Sequence, residues 1–302
     1  MRTNSAQTPP KWQVALVLVI GVMAVSTAAV LVRLAIATAG VSGVGFSLVL
    51  AASRLAIAAL ILAPTWKQIY LARPPVPALR YAVLAGVALA VHFATWITSL
   101  SYTSIAASTT LVTTNPIWVA LLSRFWLGER LPLPTWMGII LALAGGILIG
   151  WSSPVNASSW PLLGNTLALL GAWAASLYFL LGQQSQALGL STGRYITVAY
   201  TVAAAVLLPL PWLTKTSFTG YPAITYGCIV LMALLPQLIG HTSFNWALRW
   251  VSPTLVALVI LLEPVVSSLL GYVIFQEIPA PGVFCGAVVL LLGVGRAAIR
   301  SI

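Results

Sequence analysis

The chain has 302 residues, of which 60% are hydrophobic and only 6% charged, with a mean hydropathy of +1.03. A soluble chain carries about 25% charged residues, so no water-facing surface can be built from so few, and the sequence reads as an integral membrane protein. The formal net charge of +11 does not point to nucleic acid, which would need Lys and Arg clustered on a folded surface; here the bases sit singly between apolar runs.

In chain order the apolar runs fall at 12–38, 43–64, 78–100, 104–126, 134–151, 160–183, 193–213, 222–246, 252–276 and 280–298. At about 1.5 Å per residue, each is long enough to cross a hydrocarbon core about 30 Å thick. Ten transmembrane helices are expected. Lipid offers no partner to a free backbone amide, and the alternating pattern of barrel strands is absent. Residues 1–11 form a short polar tail, and the run after it is too long for a cleaved signal peptide. Breaks such as Arg73-Pro74-Pro75, Leu131-Pro132-Leu133-Pro134 and Pro279-Ala280-Pro281-Gly282 punctuate the spans. Cys228 and Cys285 lie inside apolar runs and read as small core residues.

The bases set the orientation. With the N-terminus in the cytoplasm, eleven of the fourteen Lys and Arg fall inside: Arg2, Lys11, Lys67, Arg73, Arg80, Arg124, Arg130, Arg194, Arg249, Arg296 and Arg300. Lys215 falls outside, and Arg33 and Arg54 lie within spans. Both termini are therefore expected in the cytoplasm and the 152–159 loop outside. Trp12, Trp66, Trp126, Trp136, Trp151, Trp160 and Trp212 fall near span ends, as an aromatic belt requires.

Shifting the sequence by 148 positions places Pro116 on Pro264, Ser104 on Ser252, Leu121 and Leu122 on Leu269 and Leu270, Glu129 on Glu277, Gly138 on Gly286 and Gly145 on Gly293. Matches at one fixed period mean internal duplication. Two halves are expected, 12–151 with spans one to five and 160–298 with spans six to ten. Five is odd, so the second half enters the membrane from the opposite side. An inverted repeat of this kind suits alternating access around a midplane site, a symmetry for which receptors and membrane enzymes have no general need.

A proline-centred span, a Leu127-Gly128-Glu129 turn answered by Phe275-Gln276-Glu277, and a Gly-spaced span together resemble the EamA repeat of the drug/metabolite transporter superfamily. Leu262-Glu263-Pro264-Val265 and Arg54-Leu55 with the following Ala-rich run fit the same pattern, over residues 12–298. The first copy departs from it by carrying Asn115 where the second has Glu263. The resemblance implies an all-α fold of ten helices in two inverted five-helix repeats. It also implies a transporter, most similar among the superfamily to bacterial amino-acid exporters of the YddG type.

Polar groups inside spans are the candidate site residues, because lipid exposure would cost each several kcal/mol. His92, Trp96 and Ser99 recur at i, i+4 and i+7, and Gln237, His241 and Asn245 at i, i+4 and i+8, each set on one α-helical face. Ser108 and Asn115 share a face of the fourth span. These polar groups suit either a substrate cavity or helix-to-helix hydrogen bonding. Tyr178 and Trp173, with Trp96 and Trp118, could give a cavity aromatic walls. Arg54 and Glu263 are the charges near span centres, candidates for charge pairing or coupling. Arg54 could pair with Glu263, meet a substrate carboxylate, or be tied to backbone carbonyls, while Arg33 lies near enough to the outer end to snorkel. Glu129 and Glu277 fall at turns, where helix starts favour acids. Pro116 and Pro264 free the carbonyls of Val112 and Ile260 and are candidate gating bends. Gly138, Gly145, Gly146, Gly150, Gly282, Gly286, Gly293 and Gly295 suit close backbone approach of spans five and ten, within one chain or between protomers of a homo-oligomer.

The expected activity is export of a small metabolite across a bacterial inner membrane, with a mostly neutral cavity suited to neutral or aromatic amino acids. Neither a cofactor nor a metal is expected: no phosphate loop exists, and no Cys or carboxylate stands at ligand spacing from the histidines. Another exported metabolite or drug, or a membrane enzyme using His92 and His241 as acid–base groups, are the alternatives. The chain contains no Asp, so a Ser/His/Asp arrangement is unavailable.

Overall fold

A backbone in lipid must satisfy its own hydrogen bonds, and the computed structural model does so entirely with helix among the described residues, which are 9–103, 105–128, 131–152, 160–276 and 281–298. The expectations for Glu129, Glu277, most of the 152–159 loop and the two terminal tails lie outside the described residues.

The first apolar run is interrupted at Ser26 into α1 (Lys11–Val25) and α2 (Thr27–Ala39). Ser26 Oγ donates to the Val22 carbonyl and Thr27 Oγ1 to that of Ala24, both at 2.7 Å, a type of back-bonding that bends helices. Next come α3 (Val44–Leu62), the short α4 (Thr65–Ala72) and α5 (Val76–Ser99). The proline-centred run 104–126 forms two half-helices, α6 (Ile105–Val112) and α7 (Asn115–Leu122), and ends in a π-helical turn, Ser123–Leu127. Then follow α8 (Leu133–Ser152), α9 (Pro161–Ala187), α10 (Thr192–Leu207) and α11 (Leu210–Leu213). The 222–246 run is α12 (Ala223–Met232), a π-helix over Ala233–His241, and α13 (Thr242–Ala247). The last are α14 (Pro253–Ile260), α15 (Glu263–Phe275) and α16 (Pro281–Ala298).

Among the described residues seven helical stretches are long and apolar enough to cross a membrane: Lys11–Ala39, Val44–Leu62, Val76–Ser99, Leu162–Ala187, Thr192–Leu213, Ala223–Ala247 and Pro253–Phe275. Leu133–Leu148 and Phe284–Arg296 are shorter apolar helices, and α6 and α7 have eight residues each. The protein crosses the membrane several times. Its outer face is correspondingly apolar, with Phe125 85% and Trp151 86% exposed, while Arg54 and Glu263 are buried. That inside-out distribution suits lipid as the surrounding solvent.

Both proline breaks are built alike. Pro116 and Pro264 sit in the first turn of α7 and α15, where a missing N–H costs little. Across each break the chain tightens into i→i+3 bonds, Thr114 N to Leu111 O and Leu261 N to Leu258 O, both 3.2 Å. Thr113 and Thr114 hydroxyls donate to the Thr109 and Leu111 carbonyls, each at 2.7 Å.

α8 and α16 pack directly on each other. A Cβ added at Gly145 would collide with the backbone of Gly286 and Leu290, and one at Gly293 with that of Ala142. These glycines therefore serve close approach within the chain. Around them lies a small separate core, Ala120, Ile139, Ala142, Leu143, Leu258, Leu261, Leu290 and Val294, joining α8 and α16 to α7 and α14. The main core spans α1–α5, α9, α10 and α12–α14.

Candidate functional site

Four interruptions of helical geometry meet in the middle of the bundle, and a cavity forms where they meet. It holds about 470 Å³ of atom-free space, counting the part that opens outward. Val25 and Ala28 flank the Ser26 interruption. Thr113 and Asn115 come from the α6–α7 break, Ile260 and Glu263 from the α14–α15 break, and Pro236 and His241 from the π-helix. Regular helices supply Arg54 from α3, His92 and Trp96 from α5, and Phe179 from α9. A break places the end of a half-helix, with its first side chain, at mid-bundle; a continuous helix could not.

Arg54 is wholly buried. Its Nη2 donates to Gln237 Oε1 at 3.0 Å, and its guanidinium carbon lies 4.1 Å from the centre of the Phe93 ring, a cation–π contact. Its Nε and Nη1 have no hydrogen-bond partner within the protein. Glu263, 8% exposed, opens α15 and lines the same cavity, and it is not hydrogen-bonded to the guanidinium. Of the three roles open to Arg54, the structure shows neither a direct pair with Glu263 nor a tie to backbone carbonyls; a neutral amide holds it instead.

His92 is fixed by Nδ1, 2.9 Å from the Gly171 carbonyl. A carbonyl only accepts, so Nδ1 carries the proton and Nε2 is left as an acceptor. The His92 ring lies parallel to that of Trp96, centroids 6.0 Å apart, and edge-on to His241 at 6.3 Å. Trp96 Nε1, Asn115 Oδ1 and His241 Nδ1 are buried and have no partner within the protein. The cavity thus offers a guanidinium, a carboxyl group, neutral donors and acceptors, and aromatic faces.

The remaining candidates lie behind the wall. Ser108 bonds Ser99 at 2.6 Å, and Asn245 Nδ2 donates to the Tyr178 hydroxyl. The backbone of Asn245 accepts Gln186 Nε2 at 2.8 Å. Gln237 contacts Arg54 rather than the cavity. These groups join helix to helix. Trp173 is 47% exposed on the outer surface, and Trp118 donates Nε1 to Thr114 Oγ1 at 3.3 Å. The shared face expected for Gln237, His241 and Asn245 assumed α-helical spacing, but the π-helix Ala233–His241 has wider turns. Positions four apart no longer superpose, and the three side chains separate.

Thr113, Phe179, Pro236 and Phe244 are among the cavity-lining residues that the sequence did not single out, and Phe93, which covers Arg54, is another such residue. Pro236 was visible as a proline within an apolar run; the phenylalanines carried no signal that separated them from packing.

With this geometry in view, the family model described as the EamA-like transporter family matches residues 12–151 and 162–296. The chain is 27% identical over 195 residues to the uncharacterized transporter YdfC of Bacillus subtilis, covering 63% of this chain and 61% of that one. A probable terminal-alkyne amino-acid exporter of Streptantibioticus cattleyicolor is 27% identical over 187 residues, 61% of each chain. The pseudopaline exporter CntI of Pseudomonas aeruginosa is 23% identical over 241 residues, 79% of this chain and 81% of that one. A solved crystal structure of a protein shares the fold with a TM-score of 0.72 at 17% identity, over 96% of this chain and 98% of its own.

Proposed function

Because the chain belongs to the EamA-like transporter family, we propose that it exports a small zwitterionic metabolite, in the first place a neutral or aromatic amino acid. The observation that carries this reading is that Arg54 and Glu263 line one cavity without a hydrogen bond between them. A zwitterion brings a carboxylate for one and an ammonium for the other. Trp96, Phe179 and Phe244 supply an apolar wall for its side chain. Nothing in such a lining suits a polyamine, which would need several carboxylates, or a sugar nucleotide, which would need a basic cluster. Similarity to a protein named as an amino-acid exporter agrees with this choice.

In this reading the membrane is a bacterial inner membrane, crossed ten times. The seven long stretches are joined by the α6–α7 pair, α8 and α16, and both termini lie in the cytoplasm. Residues 12–151 and 160–298 act as inverted halves, and bending at the breaks before Pro116 and Pro264 exposes the cavity to each side in turn. The test is purified protein in sealed liposomes, preloaded with unlabelled phenylalanine and offered labelled phenylalanine. Time-dependent uptake of unchanged label is expected. Chemical conversion of the label, or no uptake of any neutral amino acid, overturns the proposal.

A further inference from the structure

Arg54 is held in an uncommon way for a cation at this depth. The group receiving its Nη2 hydrogen bond is the amide of Gln237, itself wholly buried, not a carboxylate. The guanidinium has only donors, so Gln237 must present its oxygen. Phe93 covers one face of the guanidinium, and Nε and Nη1 are left without a partner within the protein. With Glu263 in the same cavity but not bonded to it, the guanidinium keeps a desolvation cost that its own contacts do not fully offset, which a carboxylate bonding Nε and Nη1 would reduce.

We propose that Gln237 is a positioning and selectivity residue: its neutral amide fixes the guanidinium at the cavity wall without cancelling its charge, so that Nε and Nη1 stay free to bind the cargo's carboxylate. The backbone supports this role. Gln237 follows Pro236 in the widened turns of Ala233–His241, where Pro236 and His241 face the cavity while Gln237 turns to Arg54. The Gln237 carbonyl accepts the Tyr200 hydroxyl at 3.3 Å, which braces the same turn from α10. A cargo lacking a carboxylate would leave Nε and Nη1 of the buried guanidinium unpaired, and such a site rejects the analogue that lacks the matching group.

The inference rests on the cavity being the cargo site, as proposed above. It is tested by counterflow of phenylalanine and of phenethylamine, its decarboxylated analogue, in the wild type and in Gln237→Glu. That substitution keeps length and the bond to Arg54 but supplies the counter-charge from within. The phenylalanine KM should rise at least about tenfold, the scale of a lost hydrogen bond to a charged group, while phenethylamine transport is kept or raised. An unchanged phenylalanine KM, or equal loss of both substrates at matched folded protein, overturns the role. A second reading needs no transport: phenylacetate should raise the Tm of the wild type and not that of Gln237→Glu. If the wild type exchanges neither substrate, the cargo assignment falls and the Tm comparison alone decides the role of Gln237; equal shifts in both proteins, or no shift in the wild type, overturn it.

Discussion

Glu263→Gln isolates one charge with almost no change of shape. Glu263 opens α15, lines the cavity and is 8% exposed, and the bond from Ser267 Oγ to its backbone carbonyl, 2.8 Å, does not involve the side chain that changes. Burying a carboxylate is costly, whereas its position at a helix N-terminus and in the same cavity as Arg54 favours it. Removing it trades one effect against the other, so the Tm should stay close to that of the wild type. Binding should not. A hydrogen bond to a charged group contributes about 1.5–3 kcal/mol, which raises the KM for a substrate ammonium roughly 10- to 150-fold. The assay is phenylalanine counterflow in liposomes with matched protein, alongside inhibition by N-acetylphenylalanine, which has no ammonium and should inhibit both proteins equally. A phenylalanine KM within twofold of the wild type would refute Glu263 as the ammonium partner.

Trp96→Ala removes an aromatic face worth about 0.5–1.5 kcal/mol beyond its area, so phenylalanine export should fall roughly 2- to 12-fold relative to alanine export; equal loss of both would mean a packing role. Pro264→Ala should slow flux with folding and membrane insertion intact, as should Pro116→Ala. If both variants transport at the wild-type rate, the breaks are static. Gly145→Leu should force α8 from α16 and lower the Tm by the equivalent of at least about 1–3 kcal/mol, whereas Gly146→Ala should be tolerated, since its nearest outside neighbour is Thr110 Cγ2 at 3.6 Å. An unchanged Tm in Gly145→Leu would show that the close approach is not needed.

What could be read from the sequence followed from strong local chemistry. Length and apolarity marked the spans. The prolines marked the breaks at Asn115 and Glu263, because no tertiary contact restores a missing amide. A buried Arg or His is costly enough that its presence in a span means an interior position, and Arg54, His92 and His241 all proved to be interior. Angular position was harder. In a helix apolar on every side no stripe tells inside from outside, so Trp173 gave no sign that it faces outward and Phe179 none that it faces the cavity. The π-helix was hidden for a related reason. Periodicity assumes about 3.6 residues per turn, and one wider segment at Ala233–His241 rotates everything after it, which parted Gln237 from His241. The interruption at Ser26 depends on a hydroxyl choosing a backbone carbonyl, a choice that Ser makes in many helices without bending them.

The presence of Arg54 and Glu263 in one cavity bears on the membrane voltage. A lone charge carried across the full potential does work of about 2.3 kcal/mol per 100 mV, enough to hold a carrier facing one side in an energised cell. With Glu263 ionised the two charges would sum to zero, and the zwitterionic cargo proposed above would add nothing to that sum. In that state the field would find no net charge on this pair to move, loaded or empty. The pair would then add no voltage dependence of its own to the transport cycle.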